Sequence, residues 1–196
     1  MDCERNVLRR SLRQRRRGVP RSERAATSRR VALNVDRALH LREGWRIGLY
    51  ASLPEELDTA PLMALARERG CRIYLPVIAR SRRARSMRFV EMTGTQRLNR
   101  LGIAEPSGAP LPAVRCLDLV FVPLVGFDCS GVRLGMGGGY YDRAFAFRRW
   151  RTAWHAPRLI GIAYAFQQVG SIAHAPHDVR LDAVVTERGI IRCSTG

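Results

Sequence analysis

The densest run of chemistry-bearing residues is Arg133-Leu134-Gly135-Met136-Gly137-Gly138-Gly139-Tyr140-Tyr141-Asp142. It follows an apolar run, Leu117 to Val122, that ends at Pro123, with a loop from Leu124 to Gly131 between them. Ahead of it, Tyr140 to Arg149 reads as a helix with Ala144, Phe145 and Phe147 among charged residues. Strand, glycine loop and helix start together direct backbone N–H groups at an anion. Glycines suit that task because they accept positive φ and let the backbone approach a phosphate closely. Arg133 places a forked cation at the mouth, matched to phosphate oxygens. Asp142, on the first helical turn, could hold magnesium beside those phosphates. Tyr140 and Tyr141 can stack on a flat ring or hydrogen-bond a reacting oxygen. The segment is neither a Walker loop, since the chain contains no lysine, nor G-x-G-x-x-G, which would need glycine at position 140. Its rival reading is a flexible turn between a strand and a helix.

Two further groups of residues invite chemistry. Glu55, Glu56 and Asp58 follow the apolar strand Arg46 to Ala51, where open α/β sheets bind their ligands. They could equally precede or cap the helix expected from Pro61 to Arg69. His174, His177 and Asp178 suggest a metal, but Pro176 breaks the helix that would put both histidines on one face. No third ligand is spaced for zinc.

These residues require a frame to position them. Cys3 to Arg17 forms a helix with Val7, Leu8 and Leu12 as its apolar stripe, ended by Gly18 and Pro20. A second helix starts at Ser22 and Glu23 and runs to about Leu41, with Val31, Val35 and Leu39 inward. Strands are expected at Arg46 to Ala51, Arg72 to Val77, Met87 to Met92, Leu117 to Val122 and Arg158 to Tyr164, with a last strand opened by Asp182. Alternation of strands and helices marks a parallel sheet. One doubly wound, three-layer α/β/α domain with a mainly parallel sheet is expected over residues 1–196, the first 41 residues supplying its two N-terminal helices.

The chain has 196 residues and a formal charge of +17, carried entirely by arginine. Such a field attracts polyanions: a nucleotide, a polyglutamate or RNA. Arg13 to Arg17 and Arg80 to Arg88 could form an RNA-binding surface or simply solvated basic faces, although no recognisable RNA module accompanies them. Five scattered cysteines without C-x-x-C spacing predict free thiols in a reducing compartment. There is no apolar stretch fit for a secretory signal or a membrane span, so a cytoplasmic protein is expected.

The string Pro123-Leu124-Val125-Gly126-Phe127-Asp128, then Gly131, then Arg133 to Arg143, resembles the 5-formyltetrahydrofolate cyclo-ligase family. Asn99 to Pro106 is similar to a loop of the same family, and the resemblance extends from Arg5 to Thr186. It implies a fold related to the sugar-phosphate isomerase and CoA-transferase type. It also implies ATP- and magnesium-dependent closure of 5-formyltetrahydrofolate to 5,10-methenyltetrahydrofolate, by a monomer that binds no membrane and no specific nucleic acid. By the resemblance, Arg5, Asn6, Val7, Leu8 and Arg9 close over ATP, with arginine at position 5 where the family has lysine. Arg133, Leu134, Gly135, Met136, Gly137, Gly138, Gly139, Tyr140 and Tyr141 hold the nucleotide. Ala51, Glu56, Met136, Gly137, Gly138, Gly139 and Tyr140 hold the folate, which may carry a polyglutamate tail. Arg133 and Tyr140 act in the chemistry, and Asp142 and Asp182 bind magnesium. The alternatives left by charge and spacing alone are an RNA-binding protein and a nucleotide-binding module without catalysis.

Overall fold

The computed structural model describes residues 2–78, 86–93, 96–98, 104–106, 108–150 and 156–193. The basic loop from Arg80 to Arg85 and the loop from Asn99 to Ile103 lie outside them. Helices α1 (Asp2–Arg17) and α2 (Arg21–Leu39) precede β1 (Arg46–Gly48), and α3 (Ala60–Glu68) leads to β2 (Arg72–Ile78) and β3 (Met87–Glu91). Strands β4 (Gln96–Leu98) and β5 (Ala104–Pro106) pair antiparallel with each other. Then come β6 (Leu119–Val122), β7 (Gly126–Phe127), β8 (Arg133–Leu134) and α4 (Tyr140–Ala144). The chain closes with β9 (Arg158–Ile162), β10 (Ala183–Thr186) and β11 (Gly189–Arg192).

The main sheet has the order β11-β10-β9-β6-β1-β2-β3. Its five central strands are parallel, and β3 and β11 are antiparallel at the two edges. Both faces are apolar, as a parallel sheet requires. Ile47, Ile73, Leu119, Phe121, Ile160, Ile162 and Val185 face one layer with Val31, Val35 and Leu39 of α2 and Leu62 of α3. Tyr74, Val120, Val122, Leu159 and Val184 face the other, with Phe89 and Phe145. The expected inner face of α2 is therefore the observed one.

Several local expectations give way to tertiary structure. Helix α2 starts directly behind Pro20 with no side-chain cap, so Ser22 does not begin it. The loop after β6 holds an antiparallel hairpin, β7 with β8. Its turn is organised by buried Asp128, whose Oδ1 accepts the Ser130 and Val132 N–H groups while Oδ2 accepts that of Ile172. The expected helix from Tyr140 to Arg149 stops after one turn and resumes as a 3-10 turn, Ala146–Trp150. Phe145 breaks it, leaving helical geometry (φ −107°, ψ 15°) as its ring inserts fully into the core beside Phe89 and Phe147.

Chain order reverses at one place in the sheet. From β1 the chain moves outward through β2 and β3, then returns to β6 on the other side of β1 and moves outward again through β9 and β10. The crevice beyond the carboxyl ends of β1 and β6 is the topological switch point, where open α/β sheets bind ligands.

Candidate active site

Two segments meet this crevice from the sheet. After β1 the chain passes Ala51 into a turn in which the Leu53 N–H donates to Glu56 Oε2 at 3.0 Å and the Glu56 N–H to the Leu53 carbonyl at 2.8 Å. The Thr59 hydroxyl ties the segment back to the Tyr50 carbonyl at 2.7 Å. Glu56 is buried, and burial raises its carboxyl above the usual range, opposed by the Leu53 N–H and the Arg16 charge. Tyr50 lies buried nearby; desolvation and then the Glu56 charge push its hydroxyl well up.

After β6, the β7–β8 hairpin delivers the glycine segment. Leu134 is fully buried with Leu12, Val125, Val132 and Ile172, while Met136 is exposed. Gly137 (φ +94°) and Gly139 (φ +62°, at the N-cap of α4) occupy the left-handed region that side chains rarely adopt, which explains glycine at both. A side chain at Gly135 or Gly137 would meet nothing within 4 Å, so the loop's outer surface is open to a ligand. The Tyr140 ring lies under the Arg143 guanidinium (5.2 Å), and Arg143 also donates to the Gly138 carbonyl at 2.7 Å.

Arg133 departs from expectation. Its guanidinium is not open at the mouth; the residue is 6 % exposed. It donates to Asp142 Oδ1 at 2.6 Å and to the Val179 carbonyl, and the Val179 N–H donates to the same Asp142 oxygen at 3.0 Å. Arg133 and Asp142 therefore brace the first turn of α4 against the segment before β10. Asp182 is bound elsewhere: Arg148 donates to Oδ1 at 2.7 Å and the Leu159 N–H to Oδ2 at 2.6 Å. The two aspartates expected to bind magnesium make different contacts here. Each aspartate serves its own arginine, both oxygens of Asp182 are engaged, and the described residues contain no group of three or more His, Cys, Asp or Glu side chains able to hold a metal.

Helix α1 reaches the glycine segment. Arg9 Nε donates to the Gly135 carbonyl at 2.8 Å and its guanidinium bonds Asn6 Oδ1. Arg5 donates to Asp178 Oδ2 (3.0 Å) and to the Ala173 carbonyl (3.1 Å). Asp178 thus anchors α1. Burial opposes its ionisation, but the Ala175 N–H and Arg5 hold it below the usual range. Leu8 and Leu12 pack into the cluster around Leu134, whereas Val7 is exposed, so the apolar stripe is narrower than expected. Burying Leu12 contributes about 2 kcal/mol.

The arginines of α1 find an acidic partner within the chain. Arg13 and Arg16 contact Glu55 Oε1 at 2.8 and 3.1 Å, and Arg17 contacts Oε2 at 2.7 Å. Arg16 is 2 % exposed and also donates to the Leu124 carbonyl, and Arg15 lies 4.6 Å over the Phe166 ring. This corrects the reading of Arg13 to Arg17 as a wholly solvated basic face: Arg16 is buried and Arg13 partly so, while Arg15 and Arg17 stay exposed. Arginines at i, i+3 and i+4 share a helix face, and that spacing was the available signal for one acidic partner. Partial burial opposes ionisation of Glu55, but hydrogen bonds from Arg17 and Arg13 outweigh it and bring the carboxyl from 4.5 to about 2. A carboxylate depressed on folding stabilises above its ordinary pKa and loses that contribution as pH falls through the folded value. Docking of α1 should hold at pH 5 and weaken between 4.5 and about 2. Glu55→Gln should loosen it at neutral pH, read as faster amide exchange confined to α1; unchanged exchange there would count against the clamp.

A cleft of about 670 Å3 runs along this helix, lined by Asn6, Arg9, Arg10, Arg13, Gln14 and Arg17. The cysteines are free, with Cys71 buried and Cys193 pushed up to about 11 by burial and then by Asp182, so neither is an activated nucleophile. No helix among the described residues is long and apolar enough to cross a membrane.

The chain is 34% identical over 180 residues to a 5-formyltetrahydrofolate cyclo-ligase of Escherichia coli, covering 89% of this chain and 96% of that one. It is 32% identical over 203 residues to the protein of that name from Mycolicibacterium smegmatis, covering 94% of each. A 5,10-methenyltetrahydrofolate synthetase of Aquifex aeolicus superposes with a TM-score of 0.80 at 26% identity, over 98% of this chain and 94% of that one. The family model for 5-formyltetrahydrofolate cyclo-ligases matches residues 2–187, and with the switch-point crevice built as described, the chain belongs to that family.

Proposed function

We propose that the protein converts 5-formyltetrahydrofolate to 5,10-methenyltetrahydrofolate at the expense of ATP, releasing ADP and phosphate. One observation carries the reading: the Glu56 turn after β1 and the open glycine segment after β6 converge on the switch point, with α1 docked onto the glycine segment through Arg9. Magnesium enters as the companion ion of ATP, carried in with the substrate.

The chemistry suits such a site. The formyl oxygen on N5 is a poor leaving group, so it first attacks the ATP γ-phosphorus, forming an O–P bond as the bond to ADP breaks. N10 then uses its lone pair to attack the formyl carbon. The C–O bond breaks, phosphate leaves with that electron pair, and the N10 proton passes to phosphate or water. A cationic N5–C–N10 bridge remains.

Phosphoryl transfer asks a protein mainly for positioning and charge neutralisation. In this reading Arg5, Asn6, Val7, Leu8 and Arg9 bring the α1 face to the nucleotide, and the triphosphate lies between the arginine-lined cleft and the backbone of Gly135 to Gly139. Arg133 and Asp142 set the first turn of α4, holding Tyr140 beside the formyl group. Glu56 takes the donor-rich edge of the pterin, and Ala51 and Met136 flank the ring. The same reading takes the enzyme as a monomer.

Purified protein mixed with 5-formyltetrahydrofolate, magnesium and ATP should develop the near-ultraviolet band of the methenyl product, with one ADP released per turnover. Folded protein that gives no ATP-dependent band, beside a working control enzyme, sinks the proposal.

A further inference from the structure

The crevice contains a polar group that the fold itself does not use. The Tyr141 hydroxyl is buried and, among the described residues, has no hydrogen-bond partner. Its ring cannot easily turn away: it stacks on Phe145 (6.3 Å between centroids, 21° between planes), and Phe145 is itself fully buried against Phe89. A buried phenol without a partner is unfavourable in the empty protein, and a fold that fixes one in place leaves it for something else to satisfy.

Its surroundings indicate what that is. After desolvation, the strongest influence on the Tyr141 hydroxyl is the charge of Glu56, and the Tyr50 hydroxyl feels both. Glu56 is likewise under-partnered for a buried carboxyl, its bond among the described residues being the Leu53 N–H. An acceptor, Glu56, thus lies within electrostatic reach of an unsatisfied donor, Tyr141. A tetrahydropterin has the complementary edge. Its N3–H and 2-amino group form an adjacent pair of donors that a carboxylate accepts, and acceptors (the 4-oxo group and N1) flank that pair.

We propose that Tyr141 is a specificity-determining residue for the folate ring, its hydroxyl donating to a pterin acceptor beside the N–H pair held by Glu56, in place of a contact to the nucleotide. The inference rests on the cyclo-ligase reading and deepens it. The two tyrosines divide the work: Tyr140, lying over the glycine loop, serves the reacting end, while Tyr141 points inward and serves recognition. A site built to hydrogen-bond a polar substrate atom discriminates strongly against analogues that lack it.

Tyr141→Phe isolates the hydroxyl. Because that group is unpartnered in the empty protein, the variant should unfold at the wild-type temperature or above it. Its KM for 5-formyltetrahydrofolate should rise roughly ten-fold or more while the KM for ATP stays put. The increase in melting temperature on adding folate should shrink in parallel. A raised KM for ATP with the folate KM unchanged would return Tyr141 to the nucleotide, and no change in either would make the hydroxyl a bystander; each result overturns the inference. Wild-type protein assayed alongside separates the two levels, because a wild type without turnover removes the cyclo-ligase reading and this inference with it.

Discussion

Arg133→Ala is expected to lower the unfolding free energy by about 3 kcal/mol, the low end for breaking a buried ion pair. Turnover should fall on the order of a hundred-fold, the scale associated with displacing a site by an ångström. The reason lies in what the side chain joins. Arg133, on β8, holds Asp142 at the start of α4 and the Val179 carbonyl on the approach to β10. Without it, Asp142 keeps the Val179 N–H but loses its cation, and the first turn of α4 loses the brace that fixes Tyr140 and Tyr141. Arg133→Lys retains the charge without the fork, so it should recover part of the stability and little of the rate. Urea unfolding and initial rates on the same preparations give the comparison. An alanine variant that matches wild type in both would leave the brace without a function.

The second large effect is expected at Glu56. Glu56→Ala should reduce kcat/KM for 5-formyltetrahydrofolate by about ten- to a hundred-fold, as expected for losing a hydrogen-bonded, charged partner in a buried site. The KM for ATP should stay close to wild type, because Glu56 sits on the β1 side of the crevice and the glycine segment on the β6 side. Glu56→Gln separates recognition from folding. Its amide oxygen can still accept the Leu53 N–H, so the turn persists, but an amide cannot offer two acceptors to the pterin N–H pair. Equal loss in the alanine and glutamine variants would mean that the paired acceptor matters; full activity in the glutamine variant would reduce Glu56 to a turn-former.

Much of this arrangement could be read in the chain. The glycine segment, the two N-terminal helices and the central strands follow from local pattern, since their apolar periodicity and breakers are contiguous in sequence. What escaped reading was set by partners far away. The strand order that puts β6 beside β1 depends on pairing across the intervening chain, so the switch point was invisible although residues on both of its banks had been singled out. Tyr140 to Arg149 has helical composition, yet burial of Phe145 outweighs that preference and ends α4 after one turn. The partners of Asp182 were hidden for a related reason: nothing local shows that it is claimed by Arg148 and the Leu159 N–H. Glu55 and Glu56 are adjacent and chemically alike; the family resemblance selects Glu56, and the structure supplies the physical difference. The first is closed off by three arginines, and the second is buried with one backbone partner.

The Arg5–Asp178 bond joins residues 173 positions apart. On a ribosome, α1 emerges long before Asp178, so its anchor is made only after the strands from β1 to β9. Until then this 16-residue helix with seven arginines must wait without Asp178. Glu55 arrives much earlier, only 38 to 42 positions behind its arginines, so it can hold the rear half of the helix while the front half is still unmoored. The front of α1 is thus secured only after β9 has been made, long after the helix itself.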